Sequence, residues 1–195
     1  MTPLPGSGQA PAVFLDRDGT MIEDVGYLDA LDRIDVFPWT VDAIRMLNRA
    51  GFLVVVVTNQ AGIARGLFTE AFVQETHRHL EARLEAGGAR VDAYYYCPHH
   101  PDGTVAAFTR RCDCRKPGPG MIAQAAADLG LDPARSFVVG DTWLDVGLAR
   151  AAGARGILVR TGKGAELEAR PPAGVAADAG VDNLAAAASW IIRCK

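Results

Sequence analysis

Short apolar runs alternate with segments of helical periodicity along most of the chain. The runs that we predict as strands cover residues 12–15, 52–57, 91–96, 137–139 and 156–159. Several of them are apolar at consecutive positions, which is typical of central strands in a parallel sheet that is covered on both faces. The alternation of such strands with helices predicts an α/β fold, a three-layer, Rossmann-like parallel sheet.

Helical patterns fill the intervals between these runs. Thr40 and Thr69 are predicted to cap the first two helices, because their hydroxyl groups can accept a hydrogen bond from a first-turn N–H group. Three further helices are predicted over residues 121–129, 145–152 and 184–192. His77 and His79 fall within the second helical pattern, and we predict both on the surface.

Residues 1–11 differ in composition from the rest of the chain. They are rich in Pro, Gly and Ser and carry no charged side chain, so we predict a flexible tail followed by a single domain over residues 12–195. The tail lacks the basic and apolar blocks of a signal peptide. The longest apolar run, residues 52–57, is far shorter than the roughly 20 residues that span a membrane. We therefore expect a cytoplasmic protein with no membrane partner.

Composition narrows the class of protein further. The chain is 49% hydrophobic and 22% charged, which is typical of a globular domain. Its net charge is −3, so there is no general basic field for nucleic acid, and we expect no nucleic-acid partner.

Polar residues follow four of the predicted strands directly. Asp16 and Asp18 follow the first strand, Thr58-Asn59 the second, Cys97 the third and Gly140-Asp141 the fourth. The carboxyl ends of parallel strands share one edge of a sheet, where ligands bind in open α/β folds. These residues therefore predict a single site at that edge.

Asp16 and Asp18 are alternate residues on a glycine turn, so both carboxylates can be directed at one point while the chain remains extended. Two converging carboxylates repel each other unless a cation or a proton lies between them, and oxygen ligands favour magnesium. The pair therefore predicts a site for a divalent metal ion, with magnesium favoured.

Three of the four cysteines lie between residues 97 and 114. Cys97 is followed two residues later by His99, and after twelve more residues come Cys112 and Cys114. Three thiolates and an imidazole form the ligand set of a structural zinc site, which we predict in a loop over residues 97–114. From spacing alone either His99 or His100 is the fourth ligand.

The motifs together resemble the D,D-heptose 1,7-bisphosphate phosphatase family of the haloacid dehalogenase (HAD) superfamily, a near relative of histidinol-phosphate phosphatase. The four superfamily motifs appear as Asp16-Arg17-Asp18-Gly19-Thr20, Thr58-Asn59, Lys116, and Gly140-Asp141 with Asp145. Residues 26–27, 57–66, 97–101 and 112–117 look like the closer family, and the resemblance spans roughly residues 12–162. It implies the HAD fold without a large cap domain.

The resemblance also implies roles for individual residues. Asp16 would be the nucleophile, Asp18 the general acid and base, and Lys116 the group that neutralises the phosphoryl charge. The implied catalytic residues are Asp16, Asp18, Thr58, Arg115 and Lys116. The implied substrate-binding residues are Asp24, Val25, Gly26, Tyr27, Thr58, Asn59, Gln60, Ala61, Arg115 and Lys116. The implied ligands are Asp16, the backbone carbonyl of Asp18 and Asp141 for Mg²⁺, and Cys97, His99, Cys112 and Cys114 for Zn²⁺.

Two features near the fourth motif leave alternatives open. Asp145 either binds the magnesium through water or caps the following helix. Thr142 and Trp143 stand where the family often carries Lys or Arg directly after the Gly-Asp pair. A positive contact to the substrate is therefore missing and an aromatic ring is added.

The function implied by the resemblance is hydrolysis of a small phosphorylated sugar by a monomeric enzyme. It is removal of the C7 phosphate of D-glycero-D-manno-heptose 1,7-bisphosphate through an aspartyl-phosphate, a step in making lipopolysaccharide precursors. The alternative is histidinol-phosphate phosphatase or another small sugar-phosphate phosphatase. A different class is an inactive binding module stabilised by zinc, but the presence of Asp16, Asp18, Lys116 and Asp141 together argues against it.

Overall fold

The computed structural model describes residues 9–194, and its centre is a six-stranded sheet. The strands run in the spatial order β3-β2-β1-β4-β5-β6, and all of their pairings are parallel. Their bounds are β1 Ala12–Leu15, β2 Leu53–Asn59, β3 Ala93–Cys97, β4 Phe137–Gly140, β5 Arg155–Val159 and β6 Ala179–Val181. The parallel sheet confirms the predicted fold class.

Helices connect the strands and cover both faces of the sheet. Their bounds are α1 Thr40–Arg49, α2 Ala61–Ala64, α3 Glu70–Ala86, α4 Gly120–Leu129, α5 Trp143–Ala152, α6 Gly164–Leu167 and α7 Leu184–Arg193. Short 3₁₀ turns occupy Leu31–Arg33 and Pro133–Arg135. Within residues 9–194, none of these helices combines the length and apolar character that crossing a bilayer requires.

Alternate residues of the central strands build two separate apolar layers. Val13 and Leu15 of β1 pack with residues of α1, α3 and α7, whereas Ala12 and Phe14 pack with residues of α4 and α5. This follows from the two-residue period of a strand, which directs successive side chains to opposite faces. All four residues of β1 and residues 53–57 of β2 are apolar because both faces of the sheet are covered.

The sixth strand was not predicted from the sequence. β6 has only three residues, Ala-Gly-Val, and pairs with β5 at the edge of the sheet. Its residues are half-buried or exposed, so the segment carries no apolar run. The remaining strands match the predicted runs within two residues at each end.

The two predicted helix caps have different outcomes. The Thr69 hydroxyl accepts a hydrogen bond from the N–H of Phe72 at 3.2 Å and caps α3 as predicted. Thr40 does not cap α1, because it is already the first helical residue and Trp39 occupies the cap position. Its hydroxyl donates instead to the carbonyl oxygen of Met21 at 2.7 Å and fixes the chain after β1 to the start of α1.

The prediction that His77 lies on the surface was wrong, whereas His79 is exposed as predicted. The His77 ring is buried and stacks on the ring of Tyr94 from β3, with 4.7 Å between the ring centroids. Burial, together with the nearby positive charge of Arg17, lowers the pKa of His77 to about 3. His77 is therefore a neutral core residue at neutral pH.

Two long connections lie at the carboxyl edge of the sheet. The first, residues 16–39, leaves β1 and is closed at its base by an antiparallel bridge between Ile22 and Val36. The second, residues 98–119, leaves β3 and contains the cysteine-rich segment. No inserted cap domain separates the strands of residues 9–194.

Most of the predicted tail over residues 1–11 lies outside the described residues. Its end is paired with the domain, since the Ala10 N–H donates to the carbonyl oxygen of Gly130 at 3.0 Å. The Ala10 carbonyl oxygen accepts from the N–H of Asp132 at 2.9 Å.

Candidate active site

The carboxyl edge of the sheet forms a small polar pocket with a volume of about 160 Å³. Strands β1, β2 and β4 deliver Asp16, Asn59 and Asp141 to it, and Lys116 enters from the loop after β3. The pocket is lined by Asp16, Asp18, Asp24, Gly26, Thr58, Asn59, Lys116, Asp141, Thr142, Leu144 and Lys163. The structure thus brings together residues from four separate sequence motifs.

A buried lysine joins two carboxylates at the bottom of this pocket. The Lys116 ammonium donates to Asp16 Oδ1 and to Asp145 Oδ1, each at 2.6 Å, and to the carbonyl oxygen of Val57 at 3.0 Å. Burial by itself lowers the pKa of Lys116, but the charges of Asp145 and Asp16 outweigh it and raise the pKa above its ordinary value. Lys116 is therefore a permanent cation at this point.

The three carboxylates around Lys116 carry more negative charge than the lysine neutralises. Burial raises the pKa of Asp16, Lys116 opposes this, and the charges of Asp145 and Asp141 raise the pKa further. Asp16, Asp141 and Asp145, which we name the acidic cluster, each offer an oxygen atom within 4.8 Å of the others. An oxygen-only set of this kind suits a hard divalent cation, which would relieve the repulsion between Asp16 and Asp141.

Two glycines bring the main chain against the Asp141 carboxylate. A Cβ at Gly19 would lie 2.3 Å from Asp141 Oδ2, and a Cβ at Gly162 would lie 2.2 Å from the same atom. Both residues have positive φ angles, +84° and +55°. Asp141 Oδ2 also accepts a hydrogen bond from the N–H of Lys163 at 2.8 Å. The carboxylate is thus fixed by a backbone cradle with no room for side chains.

Asp18 is oriented differently from Asp16. Its carboxylate accepts hydrogen bonds from the buried Arg17 guanidinium at 3.0–3.2 Å and from Gln60 Nε2 at 3.0 Å. The same Gln60 amide nitrogen donates to Thr58 Oγ1 at 2.9 Å. The side chain of Asp18 is 22% exposed, so it faces the open part of the pocket. This position suits a group that exchanges protons with a substrate or water.

Asp145 caps α5, one of the two alternatives that the sequence left open. Its Oδ2 accepts hydrogen bonds from the Thr142 N–H at 3.2 Å and from the Thr142 hydroxyl at 2.7 Å, and the two residues form a capping box. Its Oδ1 accepts from Lys116. Both carboxylate oxygens therefore have partners, although Asp145 also belongs to the acidic cluster.

Thr142 and Trp143, the two residues directly after Asp141, both have hydrogen-bond partners. The Thr142 hydroxyl donates to Asp145, and the Trp143 indole N–H donates to the carbonyl oxygen of Leu167 at 2.8 Å. Trp143 lines a separate cavity beside Leu158, whereas its neighbour Leu144 lines the polar pocket. The added aromatic ring is therefore directed away from the pocket.

The four predicted zinc ligands converge in the loop after β3. The Sγ atoms of Cys97 and Cys112 are 3.5 Å apart, and Cys114 Sγ lies 3.2 Å from each of them. The Nδ1 atom of His99 lies 3.3 Å from Cys114 Sγ. These ligand atoms all fall within 4.8 Å of one another, which fits a tetrahedral site of three sulfurs and one nitrogen.

His99, and not His100, completes the cluster. The Nδ1 atom of His100 accepts a hydrogen bond from the N–H of Asp102 at 3.1 Å, which fixes the turn of the loop. Burial raises the pKa of the Cys97 thiol, and its hydrogen bond with Cys114 raises the pKa further. A bound cation would favour the thiolate forms and remove this cost.

The cysteine cluster and the acidic cluster are linked through a short segment. Cys114 precedes Lys116 by two residues. The N–H of Lys116 donates to Asn59 Oδ1 at 3.0 Å, and Asn59 Nδ2 donates to the Lys116 carbonyl oxygen at 3.3 Å. The end of β2 and the cysteine cluster therefore fix the backbone of Lys116 from two sides.

Residues 24–27, which we name the substrate loop after the role that the resemblance implies, reach the pocket at two positions. Asp24 and Gly26 line the pocket, whereas Val25 and Tyr27 are 37% and 38% exposed. The Arg65 guanidinium lies over the Tyr27 ring, 5.8 Å from its centroid. Val25, Tyr27, Gln60, Ala61 and Arg115 are outside the pocket lining in the described structure. Of these, Gln60 is bonded to Asp18.

Sequence reasoning missed two residues of the pocket, Lys163 and Leu144. Lys163 lies on the turn after β5 and forms an ion pair with Asp24, with 2.8 Å between Nζ and Oδ2. A signal was available, because β5 ends at the same sheet edge as β1, β2 and β4. Leu144 lies on the first turn of α5 and gave no such signal.

Comparisons with known proteins agree with this geometry. A family model described as "Polynucleotide kinase 3 phosphatase" matches residues 12–147, and one described as "HAD-hyrolase-like" matches residues 113–187. The chain is 47% identical over 154 residues to the D-glycero-beta-D-manno-heptose-1,7-bisphosphate 7-phosphatase of Yersinia pestis. That alignment covers 78% of this chain and 82% of the relative.

Two solved structures of heptose bisphosphate phosphatases are also similar to this chain. The D,D-heptose 1,7-bisphosphate phosphatase from B. bronchiseptica, complexed with magnesium and phosphate, matches with a TM-score of 0.83 at 35% identity. The match covers 95% of this chain and 99% of that chain. The D,D-heptose 1,7-bisphosphate phosphatase from Burkholderia thailandensis matches with a TM-score of 0.68 at 32% identity, covering 93% and 98% of the two chains.

The cradle around Asp141 predicts a sharp effect of a single methyl group. We expect Gly162→Ala to lower kcat/KM for an aryl phosphate roughly 10²-fold, because the new Cβ displaces the Asp141 carboxylate. Gly130→Ala is the matched control, since Gly130 also has a positive φ, +65°, but a Cβ there meets no heavy atom within 4 Å. Both variants should lose about 1 kcal/mol of unfolding free energy from the backbone alone. Equal activities of the two variants would show that close packing of Gly162 against the Asp141 carboxylate is not needed for activity.

Proposed function

The chain belongs to the D-glycero-beta-D-manno-heptose-1,7-bisphosphate 7-phosphatase family of HAD-like phosphatases, and we propose that it removes the C7 phosphate of D-glycero-D-manno-heptose 1,7-bisphosphate. Membership makes it a phosphoric monoester hydrolase. The observation that carries the proposal is the buried group of Asp16, Lys116 and Asp141 at the carboxyl edge of the sheet. In this proposal the enzyme acts as a cytoplasmic monomer on a small phosphorylated sugar.

Asp16 is proposed as the nucleophile. Its carboxylate attacks phosphorus, the bond from phosphorus to the C7 oxygen breaks, and Asp18 gives a proton to the departing alcohol. Asp18, now a carboxylate, then removes a proton from water as that water attacks the aspartyl-phosphate. Inorganic phosphate leaves and the Asp16 carboxylate is restored. The hydrogen bonds from Arg17 and Gln60 hold Asp18 at the open side of the pocket for both steps.

Lys116 and Thr58 are proposed to hold the phosphoryl group. Phosphoryl transfer depends mainly on positioning and on neutralising charge. The Lys116 ammonium is already within 2.6 Å of the attacking carboxylate, so it lies beside the phosphorus as the new bond forms. Thr58 Oγ1 lines the same pocket and can donate to a phosphoryl oxygen while accepting from Gln60. Both groups act on the charge that develops during the reaction.

The acidic cluster is proposed to hold Mg²⁺ through Asp16, Asp141 and the backbone carbonyl of Asp18. The donor set fits a hard cation, because it consists of oxygen atoms and two of its carboxylates have pKa values raised by burial. When bound, the ion supplies positive charge that orients the phosphate and screens it from Asp16. The relative from B. bronchiseptica was solved with magnesium and phosphate.

The cysteine cluster is proposed to hold Zn²⁺ through Cys97, His99, Cys112 and Cys114. Three sulfurs and one imidazole nitrogen form a closed set of four ligands, which leaves no open position for catalysis. The role is structural, since the connection over residues 98–119 has no helix or strand of its own. Zinc would therefore fix the position of Arg115 and Lys116.

The substrate loop and Arg115 are proposed to select the sugar bisphosphate. Asp24 and Gly26 lie in the pocket, and Tyr27 extends the loop outward. The Arg115 guanidinium donates to the His99 carbonyl oxygen at 3.3 Å and remains partly exposed, so it is placed at the edge of the cysteine cluster. There it can pair with the phosphate that the reaction leaves on the sugar. Asn59, Gln60 and Ala61 complete the proposed binding set.

The nucleophile assignment predicts that Asp16→Asn abolishes turnover. We expect kcat to fall by at least roughly 10³-fold in the presence of magnesium, because the amide cannot form the aspartyl-phosphate. Single-turnover trapping of the phosphorylated enzyme should fail in the variant. Asp102→Asn, an exposed aspartate in the loop after β3, is the control and should keep wild-type kinetics. Near-normal activity of Asp16→Asn would exclude covalent catalysis by this residue.

The zinc assignment predicts the metal content of the purified protein. About one zinc ion per chain should co-purify with the wild type, as measured by elemental analysis. Cys112→Ser should reduce the zinc content and lower kcat/KM, because the position of Lys116 is no longer fixed. Cys194→Ser is the matched control, since Cys194 is exposed and outside the cluster. Full activity in a protein that contains no zinc would show that the cluster has another role.

The substrate assignment is tested by a phosphate-release assay on three compounds. We expect heptose 1,7-bisphosphate to exceed both heptose 7-phosphate and histidinol phosphate by roughly tenfold or more in kcat/KM, because the remote phosphate orients the reacting one. Arg115→Ala should narrow the gap between the bisphosphate and the monophosphate. Arg111→Ala removes an exposed arginine four residues earlier and should not narrow it. A clear preference for histidinol phosphate would replace the proposed substrate.

A further inference from the structure

Lys163 is a pocket residue that the family motifs do not include. It lies on the turn between β5 and α6, and its side chain is 61% exposed. Its ammonium forms an ion pair with Asp24, with 2.8 Å between Nζ and Oδ2. Both residues line the same pocket as Asp16. The pair therefore spans the pocket between two loops that are distant in the sequence.

The backbone of Lys163 is attached to the acidic cluster by a hydrogen bond that does not involve its side chain. Its N–H donates to Asp141 Oδ2 at 2.8 Å. Two residues earlier, the Thr161 hydroxyl donates to the carbonyl oxygen of Gly19 at 2.6 Å. The turn after β5 is thus tied to the loop after β1, and the Lys163 side chain extends from a fixed base.

Asp24 is the opposite end of the pair, and it organises the substrate loop. Its Oδ1 accepts a hydrogen bond from the N–H of Gly26 at 2.9 Å, while Oδ2 faces Lys163. The Asp24 side chain is only 13% exposed, although its neighbours Val25 and Tyr27 are more than a third exposed. Asp24 is therefore the anchor of the loop on the pocket side, whereas the Arg33 guanidinium donates to the carbonyl oxygens of Val25 and Tyr27.

The two lysines of the pocket have different partners. Lys116 is buried and pairs with Asp16 and Asp145, which belong to the acidic cluster. Lys163 is held by Asp24, which belongs to the substrate loop. Thr142, which also lines the pocket, donates its hydroxyl to Asp145. Lys163 is thus the pocket lysine whose ion pair involves the substrate loop.

We propose that Lys163 is a positioning residue that sets substrate specificity by holding Asp24 and the substrate loop against the pocket. The inference rests on the proposed function, in which this loop contacts the leaving sugar. A sugar phosphate fills the space beneath the loop and depends on its position. An aryl phosphate has a flat leaving group without hydroxyls, so its hydrolysis depends mainly on the acidic cluster and Lys116. Lys163 therefore acts on the choice of leaving group.

The test compares substrates across variants that remove one or both ends of the pair. We expect Lys163→Met to lower the ratio of kcat/KM for heptose 1,7-bisphosphate to that for p-nitrophenyl phosphate roughly fivefold, mainly through KM. Asp24→Asn should lower the same ratio to a similar extent. The ratio of the double variant should lie within about twofold of the lower of the two single-variant ratios. Lys163→Arg should restore most of the ratio.

The matched control is Arg170→Met, which removes an exposed cation from the same part of the chain but outside the pocket, and it should not change the ratio. Equal losses on both substrates in Lys163→Met would overturn the inference, because they would place the lysine at the transferring phosphate. Fully additive losses in the double variant would also overturn it. Failure of the proposed function is seen separately, as a wild-type enzyme that does not prefer the heptose bisphosphate.

Discussion

The ion pairs of Lys116 are the interaction on which the rest of the site depends. Burying carboxylates is costly unless each has a partner, and Asp16 and Asp145 are both almost fully buried. Lys116 reaches both of them at 2.6 Å and thereby joins the end of β1 to the first turn of α5. Removing the lysine would leave three neighbouring carboxylates with unbalanced charge. The charge cluster therefore belongs to the architecture of the sheet edge as well as to its chemistry.

Lys116 can do this only because its own backbone is held in place. The connection from β3 to α4 has no helix or strand of its own, so its position comes from specific contacts. Asn59 exchanges two hydrogen bonds with the main chain of Lys116, and Cys114 belongs to the cluster with Cys97, at the end of β3. The proposed zinc ion would make this second anchor rigid, which connects metal content with the geometry of the phosphoryl site.

In the proposed function, selectivity resides in the loops at the carboxyl edge and not in the central sheet. The substrate loop is attached through Asp24, which accepts from its own loop and pairs with Lys163. Lys163 in turn is attached to Asp141 through its backbone N–H. Lys163 thus connects the acidic cluster, through Asp141, with the proposed sugar-binding region, through Asp24. In the proposed function, this arrangement would recognise the leaving group without a separate cap domain in the described chain.

The sequence by itself determined the alternation of strands and helices and the residues at the ends of β1, β2 and β4. Apolar runs at consecutive positions report burial on both faces, and strand ends in a parallel sheet share one edge, so periodicity was sufficient. It also determined the members of the cysteine cluster, because the spacing of thiolates and imidazole is local. His99 was the exception, since only the resemblance to the family and then the structure separated it from His100.

Tertiary structure alone decided which partners each side chain has. Helical periodicity placed His77 on a helix but could not show that Tyr94 from β3 would cover it. The sequence allowed Asp145 to cap α5, and the structure shows that its oxygens accept from Thr142 and from Lys116, which is distant in sequence. Strand β6 has no apolar run, since a short edge strand needs little burial, and the ion pair of Lys163 with Asp24 joins residues that are far apart in sequence. Local patterns record burial and turns, whereas pairings across the sheet edge exist only after the chain has folded.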